Sequence, residues 1–284
     1  MSEEYEGEHR ITGVSGKIGS KRSDGAELSF TASVTVGAAG YNCPVSRKIV
    51  ELHDEPHKDN DHFCGGYREY WENVKGLEGQ EGPIEIHFID EVLPGYFWLF
   101  PVRDGVVNVG IGMLISEQRK QKGMKKSLKQ IQKWVIESHP RFKERFGEAT
   151  LVAGSEKGWQ LPFGSPRKDA PSFQPRRSAM AGAMTVGDAA SLVDPFSGEG
   201  IGNALLTGKL TSSHFDKEIH SDGFPLSAAT AYMEDMWNEL GGELSNSTKL
   251  QRMMKMKRLT NWFVKKAAKK PEIGEMMSEM IASK

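Results

Sequence analysis

Hydrophobic and polar residues alternate through the middle of this chain in the way that half-buried strands require. Residues 84–89 (IEIHFI) alternate strictly, and β-branched or apolar residues dominate 27–38 (ELSFTASVTVGA). The runs GYFWLFPV, from residue 95, and VVNVGIGML, from residue 106, flank Asp104-Gly105, a pair typical of a hairpin turn. We therefore predict an antiparallel sheet in which these two runs are neighbours.

A helical period follows, because apolar residues recur three and four positions apart before Pro140. The residues that set this period are Leu128, Ile131, Trp134 and Val135. Residues 150–163 again resemble strands, whereas 166–178 are rich in Pro, Ser and Arg and predict a surface loop. Beyond about residue 201 the sequence is helix-like to its end.

Composition narrows the class of protein. The 284 residues carry 37 basic and 38 acidic side chains, a balance that does not favour a nucleic-acid-binding protein. Cys43 and Cys64 are the two cysteines, and neither a secretory signal nor a run of about 18 apolar residues occurs. We therefore expect a soluble cytoplasmic protein with reduced thiols.

The stretch 186–208 (VGDAASLVDPFSGEGIGNALLTG) has the pattern of a strand, a glycine-rich loop and a helix. A buried strand would deliver Gly187 and Asp188 at its carboxyl end, where open α/β sheets bind ligands. A helix beginning near Ile201 would direct unpaired amides at the loop, which is an anion-binding arrangement. Asn203 stands where the third glycine of G-x-G-x-x-G belongs, so the spacing alone also permits a purely structural turn.

The longer string GDAASLVDPFSGEGIGNAL resembles the second flavin-binding motif of FAD-dependent oxidoreductases of the para-hydroxybenzoate hydroxylase type. Within them it is similar to the geranylgeranyl reductase family. PGYFWLFP and NVGIGM, at 94–101 and 108–113, resemble that family's aromatic substrate-domain signature. VTVGAAGYNCPVSRKI resembles the family's G-A-D-G-x-x-S turn, with Ala39 in place of the aspartate. The resemblance extends from about residue 11 to about residue 265.

The resemblance implies an α/β fold with a discontinuous FAD-binding, Rossmann-like domain at residues 1–43 and 178–215. An antiparallel-sheet substrate domain at 44–177 and a helical carboxyl-terminal region at 216–284 complete the expected architecture. We expect the FAD-binding domain to be incomplete, because no strand–GxGxxG–helix pattern is found near residue 1.

The resemblance also implies which residues form the site. Asp188 is expected to contact the ribityl hydroxyls of FAD, and the loop amides its pyrophosphate or ring. The predicted FAD contacts are Gly187, Asp188, Pro195, Gly198, Gly200, Ile201 and Gly202. Tyr96, Trp98 and Phe100 share one strand face, where they either line an apolar pocket for an isoprenoid chain, opening toward the glycine loop, or pack in a core. Arg68 and Tyr70 either reach the cofactor or cap a surface helix.

The implied function is flavin-dependent reduction of isolated double bonds in a geranylgeranyl chain, either as the free diphosphate or attached to a lipid or pigment. One alternative is a catalytically inactive remnant that binds a lipid or a partner without FAD. Another is a flavin monooxygenase or halogenase of the same superfamily, which the aromatic signature disfavours.

Two further groups of residues suggest weaker sites. His53, His57, His62 and Cys64 fit no compact zinc spacing, so we predict no metal site there. Residues 249–270 carry nine basic side chains and no acidic one, interspersed with methionine, leucine, tryptophan and phenylalanine. Such a helix either makes a peripheral membrane contact or packs its apolar side on the protein.

The first testable prediction concerns FAD affinity. Without a GxGxxG segment, the remaining contacts each contribute roughly 0.5–1.5 kcal/mol, which does not offset the cost of immobilising a long, flexible ligand. We expect the purified chain to be colourless. Its visible spectrum checks this, since a stoichiometric flavin band near roughly 450 nm, a property of the cofactor itself, contradicts the prediction.

Overall fold

The computed structural model describes residues 1–5, 7–19, 25–77, 82–120, 127–218, 223–256, 261, 265, 266 and 269. The chain divides into two compact units, one formed by Met1–Lys58 and Pro162–Thr248, the other by Asp59–Leu161 and Lys249–Lys284. We call these unit 1 and unit 2. The assignment of an FAD-binding and a substrate domain stays a prediction.

The strands, in chain order, are β1 (Ser2–Tyr5), β2 (Glu8–Ile11), β3 (Gly13–Lys17), β4 (Glu27–Thr31), β5 (Thr35–Gly37), β6 (Phe63–Glu72), β7 (Glu85–His87), β8 (Tyr96–Pro101), β9 (Val106–Leu114), β10 (Thr150–Leu151), β11 (Lys157–Pro162), β12 (Ala179–Met180) and β13 (Ala183–Thr185). The helices are α1 (Pro44–Leu52), α2 (Ile115–Gln118), α3 (Leu128–Ser138), α4 (Ile201–Glu218) and α5 (Leu226–Met254).

Unit 2 is built on a sheet with the strand order β10-β6-β9-β8-β7, and β11 also pairs with β6. The predicted antiparallel pairing of β8 with β9 is confirmed, with Trp98 opposite Gly110. Asp104 and Gly105 connect them with φ of 56° and 72°, the left-handed backbone that an Asp-Gly hairpin turn requires. The alternating run 84–89 contributes only the short strand β7, which pairs with β8.

One face of this sheet packs against α3, whose predicted helical period is confirmed. Ser127 and Gln130 form a capping box at its first turn, so the helix begins where its amides find acceptors. The strands contribute alternate residues to the core, as a period of two requires. The core residues from β8, β9 and α3 are Phe97, Leu99, Val107, Val109, Ile111, Met113, Leu128, Ile131, Val135 and Ile136.

A buried carboxylate, Glu69 on β6, interrupts this apolar layer. Its Oε1 accepts a hydrogen bond from the Tyr67 hydroxyl at 2.7 Å. Its Oε2 accepts from Trp71 Nε1 at 3.1 Å and from Gln132 Nε2, on α3, at 2.9 Å. Three donors therefore replace the water that the carboxylate loses on burial.

Unit 1 contains the sheet β12-β13-β5, in which β13 runs parallel to β5. The apolar run 27–38 divides between two sheets, because β4 pairs with β3 and β5 pairs with β13. Helix α5 covers this sheet with a continuous apolar side. The core residues on α5 are Ala228, Ala229, Tyr232, Met233, Met236, Leu240 and Leu244.

The prediction that 166–178 form a surface loop agrees with the exposed residues Lys168, Asp169, Ser172 and Phe173 but is wrong for the rest of the segment. Arg167, Gln174 and Arg176 are all buried in unit 1. Each of these side chains donates to at least one acceptor there; Arg176, for example, donates to Ser46 Oγ at 2.9 Å. Composition alone does not reveal such acceptors, because they come from distant parts of the sequence.

The second prediction is that Glu69→Ala lowers the free energy of unfolding by about 3 kcal/mol, because it leaves three donors without their acceptor. Urea unfolding followed by circular dichroism measures the change. Glu72→Ala is the matched control, since Glu72 is exposed on the same strand and its loss costs less than about 0.5 kcal/mol. Equal effects of the two substitutions would show that the Glu69 contacts contribute nothing.

Candidate functional site

The Gly187–Asp188 turn directly follows β13, as predicted. Gly187 has a φ of 54°, and an added Cβ would lie 2.8 Å from the Cβ of Ala204 on α4, so glycine allows the close packing of turn and helix. Its amide donates to Thr207 Oγ1 at 3.1 Å, and that hydroxyl donates to Asn203 O at 2.7 Å. The turn is therefore fixed by helix α4.

The Asp188 side chain is half-buried and makes no hydrogen bond or ion pair with any residue that the structure describes. Burial raises the pKa of this carboxyl group above its ordinary value. Its Oδ1 lies beside Gly200, where an added Cβ would come within 3.4 Å. The carboxylate is thus positioned next to the glycine loop with its acceptors unused.

Several amides of the glycine loop are satisfied internally. Asp194 Oδ1 accepts from the amides of Phe196 and Ser197 at 2.9 and 2.8 Å. Glu199 Oε1 accepts from the amide of Gly202 at 2.9 Å and so caps the start of α4. The sequence-based expectation that the loop amides are available to a ligand is therefore wrong for these three residues.

The amides of Gly200 and Ile201 donate no hydrogen bond within the described part of the chain. The Ile201 side chain is 77% exposed, and the loop on its amino-terminal side is half-buried. Gly198 has a φ of 75°, which turns the backbone back toward α4. Pro195, which has no backbone N–H to donate, precedes this turn.

Tyr96, Trp98 and Phe100 lie on the face of β8 opposite to the core. Phe97 and Leu99 are fully buried, whereas the three aromatic residues are half-buried. Ring centroids are 5.9 Å apart in both pairs, Tyr96 with Trp98 edge-on and Trp98 with Phe100 stacked. The three rings form a continuous aromatic ladder, and the core-packing alternative is not what the structure shows.

Strand β9 packs closely against the Trp98 indole. Its Nε1 donates to Asn108 Oδ1 on β9 at 3.1 Å. A side chain at Gly110, directly opposite Trp98, would collide with the indole carbons. The sequence analysis did not identify Asn108 and Gly110 individually, although the glycines of NVGIGM were a signal of close approach.

Arg68 and Tyr70 lie on this same face. Strand β6 pairs Arg68 with Gly110 and Tyr70 with Asn108, so cross-strand partners align beside the aromatic ladder. The Arg68 guanidinium is 4.3 Å from the Tyr70 ring centroid and donates to Ser155 O at 2.7 Å. The alternative that these residues cap a helix is wrong, because they belong to a strand.

The structure also describes the histidine–cysteine group and the two thiols. Among the described residues no three His, Cys, Asp or Glu side chains are grouped as metal ligands. Cys43 and Cys64 are both buried and unbridged, and burial raises the pKa of the Cys64 thiol to about 12.

Ten of the 22 residues of the basic segment 249–270 lie outside the described residues. Within its described part, Lys255 Nζ pairs with Glu117 Oε1 on α2 at 3.1 Å, and Met256 is 52% exposed. None of the described helices has the length and apolarity needed to span a membrane. The peripheral membrane contact stays a prediction.

Comparison with known proteins identifies relatives. Residues 65–150, which include the aromatic ladder and its neighbours on β6 and β9, match the family model of the geranylgeranyl reductase catalytic domain. The resemblance to the geranylgeranyl reductase family is confirmed. Digeranylgeranylglycerophospholipid reductase from Picrophilus torridus is 31% identical over 171 residues, 60% of this chain and 35% of that protein. The chain thus spans about a third of the length of this reductase.

Solved structures show the same fold. A geranylgeranyl bacteriochlorophyll reductase-like protein from Thermoplasma acidophilum has a TM-score of 0.63 at 20% identity, over 99% of this chain and 68% of its own. HpxO from Klebsiella pneumoniae, in complex with FAD, has a TM-score of 0.62 at 13% identity, over 99% and 66%. The predicted α/β fold of FAD-dependent oxidoreductases, with helices and antiparallel sheets, is confirmed.

The third prediction tests how the reductase-like aromatic ladder is held. Gly110→Ala should displace the Trp98 indole, lowering the melting temperature and changing the near-ultraviolet circular dichroism. Gly66→Ala is the matched control. Gly66 lies on β6 and pairs with Gly112 on β9, and a Cβ added there would have only Trp159 O within 4 Å, at 3.8 Å. An unchanged aromatic signal in Gly110→Ala would show that the indole does not need the space at Gly110.

Proposed function

We propose that the chain takes part in the flavin-dependent reduction of isolated double bonds in geranylgeranyl chains. The observation that carries this proposal is the aromatic ladder of Tyr96, Trp98 and Phe100, within the part that matches the reductase family model. The relatives' names add geranylgeranyl lipids as the class of substrate.

An isoprenoid chain offers only hydrocarbon and weakly polar double bonds, so its binding depends on apolar area rather than on hydrogen bonds. The ladder presents three adjacent aromatic rings, and the single polar atom of the Trp98 ring is satisfied by Asn108. A prenyl chain lying along β8 would therefore meet no unsatisfied donor on that residue. Arg68 and Tyr70, on the next strand but one, supply the polar border of the same face.

The residues around Asp188 fit FAD. The carboxylate has unused acceptors for the ribityl hydroxyls, and the Gly200 and Ile201 amides are available as donors. The Glu199 carboxylate at the start of α4 repels a second negative charge. These two amides therefore suit a neutral carbonyl of the flavin ring better than the pyrophosphate.

When bound, reduced flavin supplies hydride to one carbon of the double bond, and a proton must reach the other carbon. The chain's own residues orient both partners. Asp188 and the amides of Gly200 and Ile201 would hold the cofactor, and the aromatic ladder would align the prenyl chain and exclude water from its double bonds.

The lipid class of substrate also bears on the segment 249–270. A substrate with geranylgeranyl tails resides in a membrane, and a basic segment is attracted to anionic lipid headgroups. We include a peripheral membrane contact by this segment in the proposal.

The fourth prediction tests this function directly. The chain is incubated without oxygen with excess FAD, dithionite as reductant and a geranylgeranyl glycerophospholipid, and the product is analysed by mass spectrometry. We expect a gain of about 2 Da for each double bond, since hydride and proton add two hydrogens. Asp188→Ala should weaken FAD binding about tenfold, because a hydrogen bond to a charged group contributes roughly 1.5–3 kcal/mol.

Two matched variants separate the roles. Trp98→Ala should reduce product formation without changing FAD affinity, whereas Asp235→Ala, an acid on α5, should change neither. Flavin fluorescence titration reports the affinity independently of turnover. Absence of product with FAD demonstrably bound would contradict the reductase proposal, and retained lipid binding without FAD would favour the inactive-remnant alternative.

A further inference from the structure

Unit 1 contains a group of cationic side chains that the proposed function does not use. Arg176 is 1% exposed and Arg167 is 3% exposed, and both come from the segment predicted to be a surface loop. His57 is half-buried beside them, and the exposed Arg47 and Lys58 complete the group. Burying a guanidinium is costly unless an anion accompanies it.

The hydrogen-bond partners of Arg176 are neutral. Its Nη1 donates to Ser46 Oγ at 2.9 Å and its Nη2 to the His57 carbonyl oxygen at 2.8 Å. Its Nε has no acceptor among the described residues, and neither does His57 Nε2 have a partner there. Arg176 is thus held in place by the fold, with one donor still unsatisfied.

The acid near this group is already engaged. The carboxylate of Glu55 accepts from the backbone amide and from Nε of Arg177, at 3.0 and 3.2 Å. Burial and the charge of Arg167 together lower the pKa of Arg176 to about 9, although Glu55 opposes this shift. Burial is thus the main cause of the lowered pKa, and the charge of Arg167 adds to it.

The neighbouring cations also lower the pKa of His57. Burial, followed by the charges of Arg176, Arg47, Lys58 and Arg167, lowers its pKa to about 4. Cations thus approach His57 from several sides, which is an environment that favours an anionic ligand.

We propose that Arg176, Arg167 and His57 form a binding site for a phosphate group, with Arg47 and Lys58 close to His57. A guanidinium fork matches the geometry of phosphate oxygens, and a dianion relieves the repulsion among several cations at once. The site lies apart in sequence from the residues assigned to flavin. Its ligand is inorganic phosphate or the phosphate or diphosphate group of a larger molecule.

The fifth prediction is that phosphate and pyrophosphate, but not chloride at equal ionic strength, raise the melting temperature of the purified chain. Isothermal titration calorimetry should give saturable binding with one site. Arg176→Met should abolish this binding while leaving the unliganded protein as stable as before or more so, because it removes an uncompensated buried charge. Arg103→Gln, an exposed residue in the β8–β9 turn, is the control and should bind normally.

Should Arg176→Met fail to fold, Arg47→Gln provides the test, since Arg47 is exposed and its loss should weaken binding about fivefold. Nuclear magnetic resonance of ¹⁵N-labelled histidines, assigned with His57→Gln, should show the His57 pKa rising from about 4 when phosphate binds. Tighter binding of pyrophosphate than of phosphate would identify a diphosphate ligand, and equal binding a single phosphate group.

Two outcomes would overturn the proposal. One is stabilisation by chloride equal to that by phosphate, which would indicate unspecific screening. The other is phosphate binding that survives both the Arg176 and the Arg47 substitution. The melting-temperature, calorimetric and magnetic-resonance measurements involve neither flavin nor a prenyl substrate. Their results are therefore independent of the reductase proposal.

Discussion

The strand register of β6, β9 and β8 is the constraint on which the organisation of unit 2 depends. Because side chains alternate along a strand, a slip of one residue would exchange the core with the aromatic ladder. Phe97 and Leu99 enter the core only in the observed register, and only there does Trp98 meet Gly110. The same pairing that buries the apolar layer therefore assembles the candidate substrate surface on the other side.

A comparable close approach organises the candidate cofactor site in unit 1. Gly187 allows the turn after β13 to touch Ala204, and Thr207 then fixes the turn through its hydroxyl. This packing leaves Asp188 half-buried with no partner among the described residues. In each unit, a glycine at a contact point lies beside a candidate functional side chain.

Patterns of period two and 3.6 predicted the β8–β9 pair and helix α3, because burial on one side sets these patterns directly. Two kinds of feature could not be predicted from such patterns. Which loop amides are satisfied depends on side chains such as Asp194 and Glu199, whose partners a pattern does not specify. The burial of Arg176 depends on Ser46, 130 residues away, so local composition suggested the opposite.

Apolar packing between α3 and the sheet is strong but has no preferred direction, since it depends on area alone. The hydrogen bond from Gln132 to Glu69, at 2.9 Å, is directional and connects one position of α3 to one position of β6. This hydrogen bond therefore fixes one position of α3 relative to β6 within an interface that is otherwise apolar.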